Sequence, residues 1–288
     1  MEKEILENYK KSKEISDGVQ IFARNYVKEG MKILELAEKI EKKIKELGGG
    51  VAFPVNISIN ENAAHYTPDI DDPIVLRDGD LVKVDFGVHV NGYIWDRAFS
   101  VLIGDKKSGL IEAAERALEN AIKMAKVGTT VSEISEIIEN TVIEFNLKPI
   151  YNLAGHGLER FVQHAEPSIP NSKNNIQYKL EEGHAIAIEI FTTDGIGLVK
   201  ESGQTLIFMH IQDKPVRLWE GRKIMERAKV EFNGMPFAKR WLTDIATGAK
   251  LELALKQLVD INALRPYSVL KEESNSAVAQ AEETVIII

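Results

Sequence analysis

Two aspartates on a predicted β-hairpin are the first residues of the chain that could do chemistry together. Asn91-Gly92 separates two β-rich runs, which is typical of a two-residue type I′ turn. In that register Gly87 faces Asp96, and Asp85 lies diagonally from Asp96 on the same face. Two carboxylates held together beside an apolar face are unfavourable unless a cation neutralises them. The hairpin therefore indicates a cation site, with a solvated hairpin carrying two unrelated aspartates as the alternative.

Three residues elsewhere in the chain favour the cation site. Glu189 and Glu282 each lie in an otherwise apolar run, where a charged glutamate without a partner is strongly disfavoured. His156 has glycine on both sides and is therefore openly accessible. A Lys or Arg partner for Glu189 and a purely structural His156 are the alternatives. Four carboxylates and one imidazole suit divalent ions, and their charge calls for about two of them; the set is Asp85, Asp96, His156, Glu189 and Glu282.

Composition narrows the class of protein. The chain has 288 residues, 44% hydrophobic and 28% charged, which is ordinary for a soluble globular protein. It has no cysteine, so disulfides and thiolate metal ligands are excluded. A net charge of −8 argues against nucleic acid as a partner. With no apolar run of about 18 residues and no signal peptide, we expect no membrane partner and a cytoplasmic location.

The order of motifs indicates two similar halves. Each half has a pair of helices, and the second helix of each pair follows a glycine, Gly30 or Gly128. A histidine loop and an apolar strand ending in a carboxylate come next in both halves, at nearly constant offsets. In this alignment Asp85 corresponds to Glu189, and His65 to His164. We therefore expect a pseudo-two-fold site between the halves.

The alternation of helix and strand stops late in the chain. Residues 213–265 carry two amphipathic helical stretches, and strand character returns afterwards. We therefore expect a main domain formed by residues 1–212 and 266–288, interrupted by an inserted helical subdomain at 213–265.

Several stretches, in this order, resemble the type 2 methionine aminopeptidases, the archaeal and eukaryotic kind of pita-bread metallopeptidase. The resemblance covers nearly the whole chain and implies an α+β fold, with helices outside a curved and mainly antiparallel sheet. It also implies that the helical insertion is the one that separates type 2 from type 1. The stretches are 60–68, 84–96, 152–156, His164, 187–189 with 193–195, 236–242 and 278–282.

The resemblance also implies a metal centre and a reaction. Two divalent ions (Co, Mn, Fe or Zn) would be held by Asp85 on one side, by His156 and Glu189 on the other, and by Asp96 and Glu282 as bridges. A hydroxide held by both ions would attack the peptide bond after an N-terminal methionine, provided that the second residue is small. The free amino terminus would bind a metal ion, which explains an aminopeptidase.

Further catalytic roles follow from the same resemblance. Glu189 would take up a proton, while His164 contacts the scissile carbonyl and His65 the amide nitrogen, so both histidines also bind substrate. The substrates would be nascent polypeptides, which leaves room for association with the ribosome, and we expect a monomer.

Three positions depart from the usual pattern of the family. Trp95 replaces a small residue but faces away from the aspartates, so we expect altered packing and no loss of metal. Ile190 replaces a proline. Glu283 replaces a histidine; alternation points it away from Glu282, yet it adds a carboxylate near the metals. Of the other histidines, His89 falls on the metal face without a family role.

We expect His184 and His210 to be structural.

Two other functions stay open at this point. An X-Pro dipeptidase or aminopeptidase would share all five ligands, although the late insertion argues against it. A metal-free pita-bread protein that binds RNA or proteins would have lost ligands, whereas this acidic chain keeps them.

Overall fold

The computed structural model describes residues 1–104 and 107–288. Its α-helices in these ranges are α1 (Lys3–Tyr26), α2 (Ile33–Glu46), α3 (Gly109–Met124), α4 (Val131–Glu144), α5 (Trp219–Val230) and α6 (Gly248–Asp260), with a 3₁₀ turn at Lys239–Leu242. They include the predicted pair of helices in each half and the two helices predicted within residues 213–265. Within the described chain no helix combines the length and apolarity needed to cross a bilayer.

The strands fall into two antiparallel sheets. The strands are β1 (Gly50–Ile59), β2 (Asn62–Ala64), β3 (Leu81–Val90), β4 (Tyr93–Leu102), β5 (Lys148–Pro149), β6 (Ala154–Glu159), β7 (Val162–Pro170), β8 (Ala185–Thr193), β9 (Val199–His210), β10 (Phe237–Ala238), β11 (Leu264–Glu272) and β12 (Val278–Ile286). The larger sheet has eight strands in the order β1-β3-β4-β12-β8-β6-β7, with β5 paired to β8 beside this path. The smaller sheet has the order β10-β9-β11-β2. The predicted histidine loops are wrong in part: β2, which pairs with β11, comes directly before His65, and His164 lies on β7.

The predicted hairpin register is confirmed. Val90 pairs with Tyr93 and Gly87 with Asp96, and the ladder continues to Leu81–Leu102. Asn91 and Gly92 both have positive φ, as a type I′ turn requires. Alternation then sends Phe86 and Val88 into the core and Asp85 and Asp96 to the other face.

Six strands of the larger sheet are arranged symmetrically about the central pair, β4 and β12. On one side of this pair come β3 and β1, and on the other β8 and β6. Helices α1 and α2 pack on β1 and β3 in one apolar cluster, while α3 and α4 pack on β8 and β12 in another. Asp85 on β3 and Glu189 on β8 therefore hold equivalent places, as the repeat predicts.

Helix α4 begins with a capping box formed by Thr130 and Glu133. The Thr130 side chain accepts a hydrogen bond from the Glu133 backbone N–H, and the Glu133 carboxylate accepts one from the Thr130 backbone N–H. This capping box satisfies backbone donors that would otherwise be unpaired at the helix start.

A buried ion pair ties the 213–265 segment to the rest of the chain. Arg240 donates to the Glu41 carboxylate of α2 and to Thr67 Oγ1 at 2.5 Å. Trp241 Nε1 and the Val55 N–H also donate to Glu41, at 3.1 and 3.2 Å. Helices α5 and α6 have their own apolar cluster, together with Phe237 and Leu242. That this segment is an inserted subdomain stays a prediction.

Candidate metal centre

One cavity contains all seven predicted site residues. It opens on the face of the larger sheet away from the packed helices and is also bordered by residues of the smaller sheet. Its lining consists of Phe53, Asn56, Ala64, His65, Asp85, Asp96, His156, Gln163, His164, Glu189, Ile207, Pro236, Tyr267 and Glu282.

The strands place the predicted ligands at one level of the sheet. Asp85 and Asp96 come from β3 and β4, in the register of the hairpin. Glu189 and Glu282 are direct partners on β8 and β12. His156 lies on β6, which pairs with the next part of β8. Five adjacent strands therefore each contribute a side chain to the cavity. These side chains share one face of the sheet, because side chains alternate between the two faces along each strand.

Three of these residues are already close enough to hold one ion. Ligand atoms of Asp96, His156 and Glu282 all lie within 4.8 Å of one another. His156 Nε2 is 3.9 Å from Asp96 Oδ2. His156 Nδ1 is 3.1 Å from the Gly157 carbonyl, so it donates its proton there and leaves Nε2 free as a ligand. Asp85 and Glu189 line the same cavity outside this triplet.

Burial and mutual repulsion disfavour the charged carboxylates. Burial raises the pKa of Asp85 to about 6. Burial, and then the Asp85 charge, raises the pKa of Asp96 well above its usual range. Burial, and then the charges of the neighbouring carboxylates, also raises the pKa of Glu189 and of Glu282. Burial also lowers the pKa of His156 to about 4, which keeps the imidazole neutral and able to act as a ligand.

Within the described ranges no lysine or arginine pairs with these carboxylates. Lys83 is two residues from Asp85, yet its ammonium donates to the carbonyls of Asn60 and Val278, at 2.9 and 2.7 Å. Burial also lowers the pKa of Lys83 to about 7. The Lys or Arg partner considered as an alternative for Glu189 is therefore absent from the described chain.

Neutral amides surround the carboxylates instead. Gln163 Nε2 donates to Asp96 Oδ2 at 3.2 Å, and Gln280 Nε2 donates to Glu282 Oε2 at 3.2 Å. Asn56 Nδ2 lies 3.4 Å from Asp85 Oδ2. Among the described atoms, Asp85 Oδ1 and Asp96 Oδ1 are buried with no hydrogen-bond partner. Divalent cations would give these buried oxygens the partner and the compensating charge that they lack. The residues present therefore fit such ions.

Two imidazoles and a phenol form the opposite wall. Tyr267 stacks on His164 with ring centroids 5.9 Å apart and meets His65 edge-on at 5.5 Å. His65 has a positive φ, and its Nδ1 lies 3.2 Å from the Ser268 carbonyl. Loss of hydration lowers the pKa of both imidazoles, and His156 lowers that of His164 further, although part of His164 reaches solvent. Both rings are therefore neutral donors or acceptors.

The three amides that bond to the carboxylates, from Asn56, Gln163 and Gln280, were not predicted from the sequence. Gln280 could have been found, because it precedes Glu282 by two residues on the same strand and so shares its face. Gln163 could not, because strict alternation would send it away from His164. The register of β6 with β7 shifts between Gly157–Ala165 and Glu159–Val162, and this irregularity allows both Gln163 and His164 to face the cavity.

The departures at Trp95 and Glu283 compensate each other on the back of the sheet. Trp95 Nε1 donates to Glu283 Oε1 at 2.6 Å, and Arg97 donates to Glu283 Oε2 at 2.6 Å and to Asp17 at 2.7 Å. Glu283 thus points away from the cavity and is neutralised there. Ile190 is fully buried in the cluster under α3 and α4.

The remaining histidines lie outside the cavity. His89 Nδ1 accepts from the Gly92 N–H at 3.2 Å and its ring packs on Phe161. His184 accepts from the Glu181 N–H, and His210 lies 3.1 Å from Asp213. These contacts agree with the structural roles predicted for His184 and His210.

Four carboxylates and one neutral imidazole that share a cavity on an antiparallel sheet are typical of a metal-dependent hydrolase. A sequence profile of metallopeptidase family M24 matches residues 7–221. The chain belongs to this family, among the methionine aminopeptidases of the archaeal and eukaryotic kind.

Relatives over nearly the full chain support that grouping. The methionine aminopeptidase of Thermococcus onnurineus is 46% identical over 278 residues, covering 96% of this chain and 94% of the relative. That of Methanothermobacter thermautotrophicus is 41% identical, covering 98% and 96%. Methionine aminopeptidase 2 of Yarrowia lipolytica is 34% identical and covers 97% of this chain but 63% of its own length.

Solved structures share the fold. A thermophilic Arx1 has a TM-score of 0.88 at 17% identity, covering 99% of this chain and 88% of its own. A methionine aminopeptidase from Thermotoga maritima has a TM-score of 0.72 at 20% identity, covering 100% and 94%. At these identities the likeness supports the pita-bread fold alone.

Proposed function

We propose that the chain is a metalloaminopeptidase that removes the N-terminal methionine from polypeptides whose second residue is small. The observation that carries this proposal is the cavity itself, which holds four carboxylates and His156 but no neutralising cation among the described residues. Asp96 and Glu282 are buried, and Asp85 and Glu189 are partly buried. The identity to methionine aminopeptidases along the whole chain supports the substrate.

The positions of the side chains support the ligand roles that we propose. Asp96 and Glu282 are central and near His156, as bridging ligands should be. Asp85 would complete the coordination of one ion, and His156 and Glu189 would complete the coordination of the other. When bound, the two divalent ions would supply a water molecule of lowered pKa as nucleophile and would polarise the scissile carbonyl. Co, Mn, Fe and Zn all suit this donor set.

The side chains around the ligands would position the peptide. His65 donates from Nδ1 to Ser268, so its Nε2 can accept the N–H of the scissile amide. His164 faces the same space and can donate to the carbonyl oxygen as negative charge develops there. Glu189 would hold the proton taken from the attacking water until the leaving amine needs it.

Apolar walls suit a methionine side chain. Phe53, Ile207, Pro236 and Tyr267 border the cavity beside the carboxylates. A flexible thioether packs well against such aromatic and aliphatic surfaces. The free amino group of the first residue would then lie near the carboxylates, which explains why an internal peptide would not be cleaved. Ribosome association and a monomeric state remain predictions.

Peptide cleavage tests the proposal. The full chain, supplied in turn with Mn²⁺, Fe²⁺ and Co²⁺, should release methionine from Met-Ala-Ser and leave Met-Glu-Ser and Ala-Pro peptides intact. Cleavage of the Ala-Pro peptide alone would contradict the proposal and indicate an X-Pro enzyme. Absence of metal binding by calorimetry would instead favour a non-catalytic binding protein of the same fold.

A further inference from the structure

The larger sheet consists of two parts that meet between β4 and β12. In one part β3 and β4 pair along their whole length, and in the other β12 and β8 do so. Between β4 and β12 the described residues form ladder pairs only at Ala98–Glu282 and Arg97–Glu283. We call this short junction the seam.

The carboxylates lie on both sides of the seam. Asp85 and Asp96 belong to the β3–β4 part, whereas Glu189 and Glu282 belong to the β12–β8 part. Ions that join these four groups must therefore bridge the seam. The distance between the two parts then decides whether the carboxylates can reach the same ions.

Two buried hydroxyls hold the seam beyond its ladder pairs. Thr284 Oγ1 accepts from the Asp96 N–H at 2.8 Å and donates to the Asp96 carbonyl at 2.9 Å. Ser100 Oγ accepts from the Gln280 N–H at 2.8 Å and donates to the Gln280 carbonyl at 2.7 Å. Both hydroxyls are buried. Each one takes the place of direct backbone pairing, one on either side of Ala98–Glu282.

The residues that receive these bonds both reach the carboxylate cluster. Asp96 is itself a proposed bridging ligand. Gln280 sends its amide to Glu282 Oε2 at 3.2 Å and to Asp85 Oδ2 at 3.5 Å. The two hydroxyls therefore hold the backbone of Asp96 and of Gln280 in place. Gln280 in turn orients the carboxylates of Glu282 and Asp85.

We propose that Thr284 and Ser100 are positioning residues for the metal centre, setting the spacing across the seam so that carboxylates of both parts bind the same ions. The inference rests on the proposed metal centre. Residues that orient metal ligands typically contribute about 10- to 100-fold to metal affinity. A hydroxyl with a merely structural role would change thermal stability and leave the geometry of the bound ion unchanged.

The chain offers a matched control for this distinction. Thr192 is a buried threonine on β8 whose Oγ1 donates to the Leu110 carbonyl at 2.8 Å, away from the seam. Thr192→Val and Thr284→Val make the same chemical change, but only the second removes a bond across the seam. Thr284→Ser keeps the seam hydroxyl and is the rescue variant.

The experiment compares metal-free full chains of these variants and of Ser100→Ala. Mn²⁺ affinity is measured by calorimetry, and the coordination geometry is followed by the visible absorption of bound Co²⁺. Thr284→Val and Ser100→Ala should bind Mn²⁺ at least ~10-fold more weakly than the unsubstituted chain and shift the Co²⁺ bands. Thr284→Ser and Thr192→Val should stay within about threefold, with the bands unchanged.

The contrary results are distinct. If Thr284→Val matches Thr192→Val in Mn²⁺ affinity and Co²⁺ spectrum, the seam hydroxyls have no positioning role. If Thr284→Val does not fold, Ser100→Ala decides by the same criterion. If the unsubstituted chain itself does not bind Mn²⁺, the metal centre and this inference are both overturned, which separates that failure from failure of the variants.

Discussion

Strands β4 and β12 place carboxylates on both faces of the larger sheet. The carboxylates of the two faces have different hydrogen-bond partners. On the back face Glu283 bonds to Arg97 and Trp95, so its charge is balanced. On the front face Asp96 and Glu282 receive only amide donors from the described protein. A guanidinium therefore balances the structural carboxylate of Glu283, whereas no guanidinium of the described residues pairs with the carboxylates of the proposed metal centre.

The largest expected effect comes from the loss of the Glu282 carboxylate. Glu282→Ala should abolish cleavage of Met-Ala-Ser at limiting metal, by more than the ~100-fold that loss of an outer-shell partner costs. In chelator, this variant should be at least as stable as the unsubstituted chain, because it removes a repelled carboxylate. Activity and thermal unfolding, each with and without Mn²⁺, measure both effects. An active Glu282→Ala at limiting metal would contradict its bridging role.

The buried ion pair of Arg240 and Glu41 should, like the Arg97–Glu283 pair on the back face, contribute to stability and not to metal binding. Arg240→Met leaves the Glu41 carboxylate buried without its main partner and should lower the free energy of unfolding by about 3 kcal/mol, whether or not metal is present. Urea unfolding measures it, and adding Glu41→Gln should recover part of the loss. A loss that disappears when Mn²⁺ is added would place Arg240 with the metal centre instead.

The back face itself supplies the matched control for Glu282. Glu283→Ala strips a hydrogen-bonded carboxylate from Arg97 and Trp95 and should lower the free energy of unfolding by about 2 kcal/mol. Its Mn²⁺ affinity should stay within about threefold of the unsubstituted chain, because the side chain faces away from the cavity. A large loss of affinity in calorimetry would mean that the two faces are electrostatically coupled.

A smaller effect concerns pH. The pKa of Asp85 is raised to about 6 in the metal-free chain, so the carboxyl group is mostly protonated at pH 5 and must release its proton when a metal binds. Mn²⁺ affinity should therefore fall at least ~10-fold from pH 7 to pH 5. His156, with a pKa lowered to about 4, is already neutral in this range and adds no proton. Calorimetry in two buffers of different ionisation enthalpy counts the released protons, and none would be released if the carboxylates were already charged.

Local rules predicted much of the fold and the ligand set. Asn91-Gly92 determined the hairpin register because the turn leaves few alternatives, and alternation then put Asp85 and Asp96 on one face. Glu189 stood out because a charge in an apolar strand requires an explanation. The family resemblance added His65 and His164, which spacing alone did not single out as substrate ligands.

Contacts between residues far apart in the chain could not be predicted from local sequence patterns. The Arg240–Glu41 ion pair joins residues far apart in the chain, with no periodic pattern connecting them. Gln163 reaches the cavity through a register shift that strict alternation forbids. The bond from Trp95 to Glu283 likewise depends on β4 lying beside β12, which local patterns do not specify.

The contrast between the two faces depends on one claim, that the front-face carboxylates are a site for divalent ions. Titration of the chelator-stripped chain with Mn²⁺ in a calorimeter, followed by thermal unfolding of the loaded protein, tests it most directly. We predict saturable binding of about two ions per chain and a higher unfolding temperature, because binding to the folded state alone stabilises it. No saturable binding, with an unchanged unfolding temperature, would contradict the account.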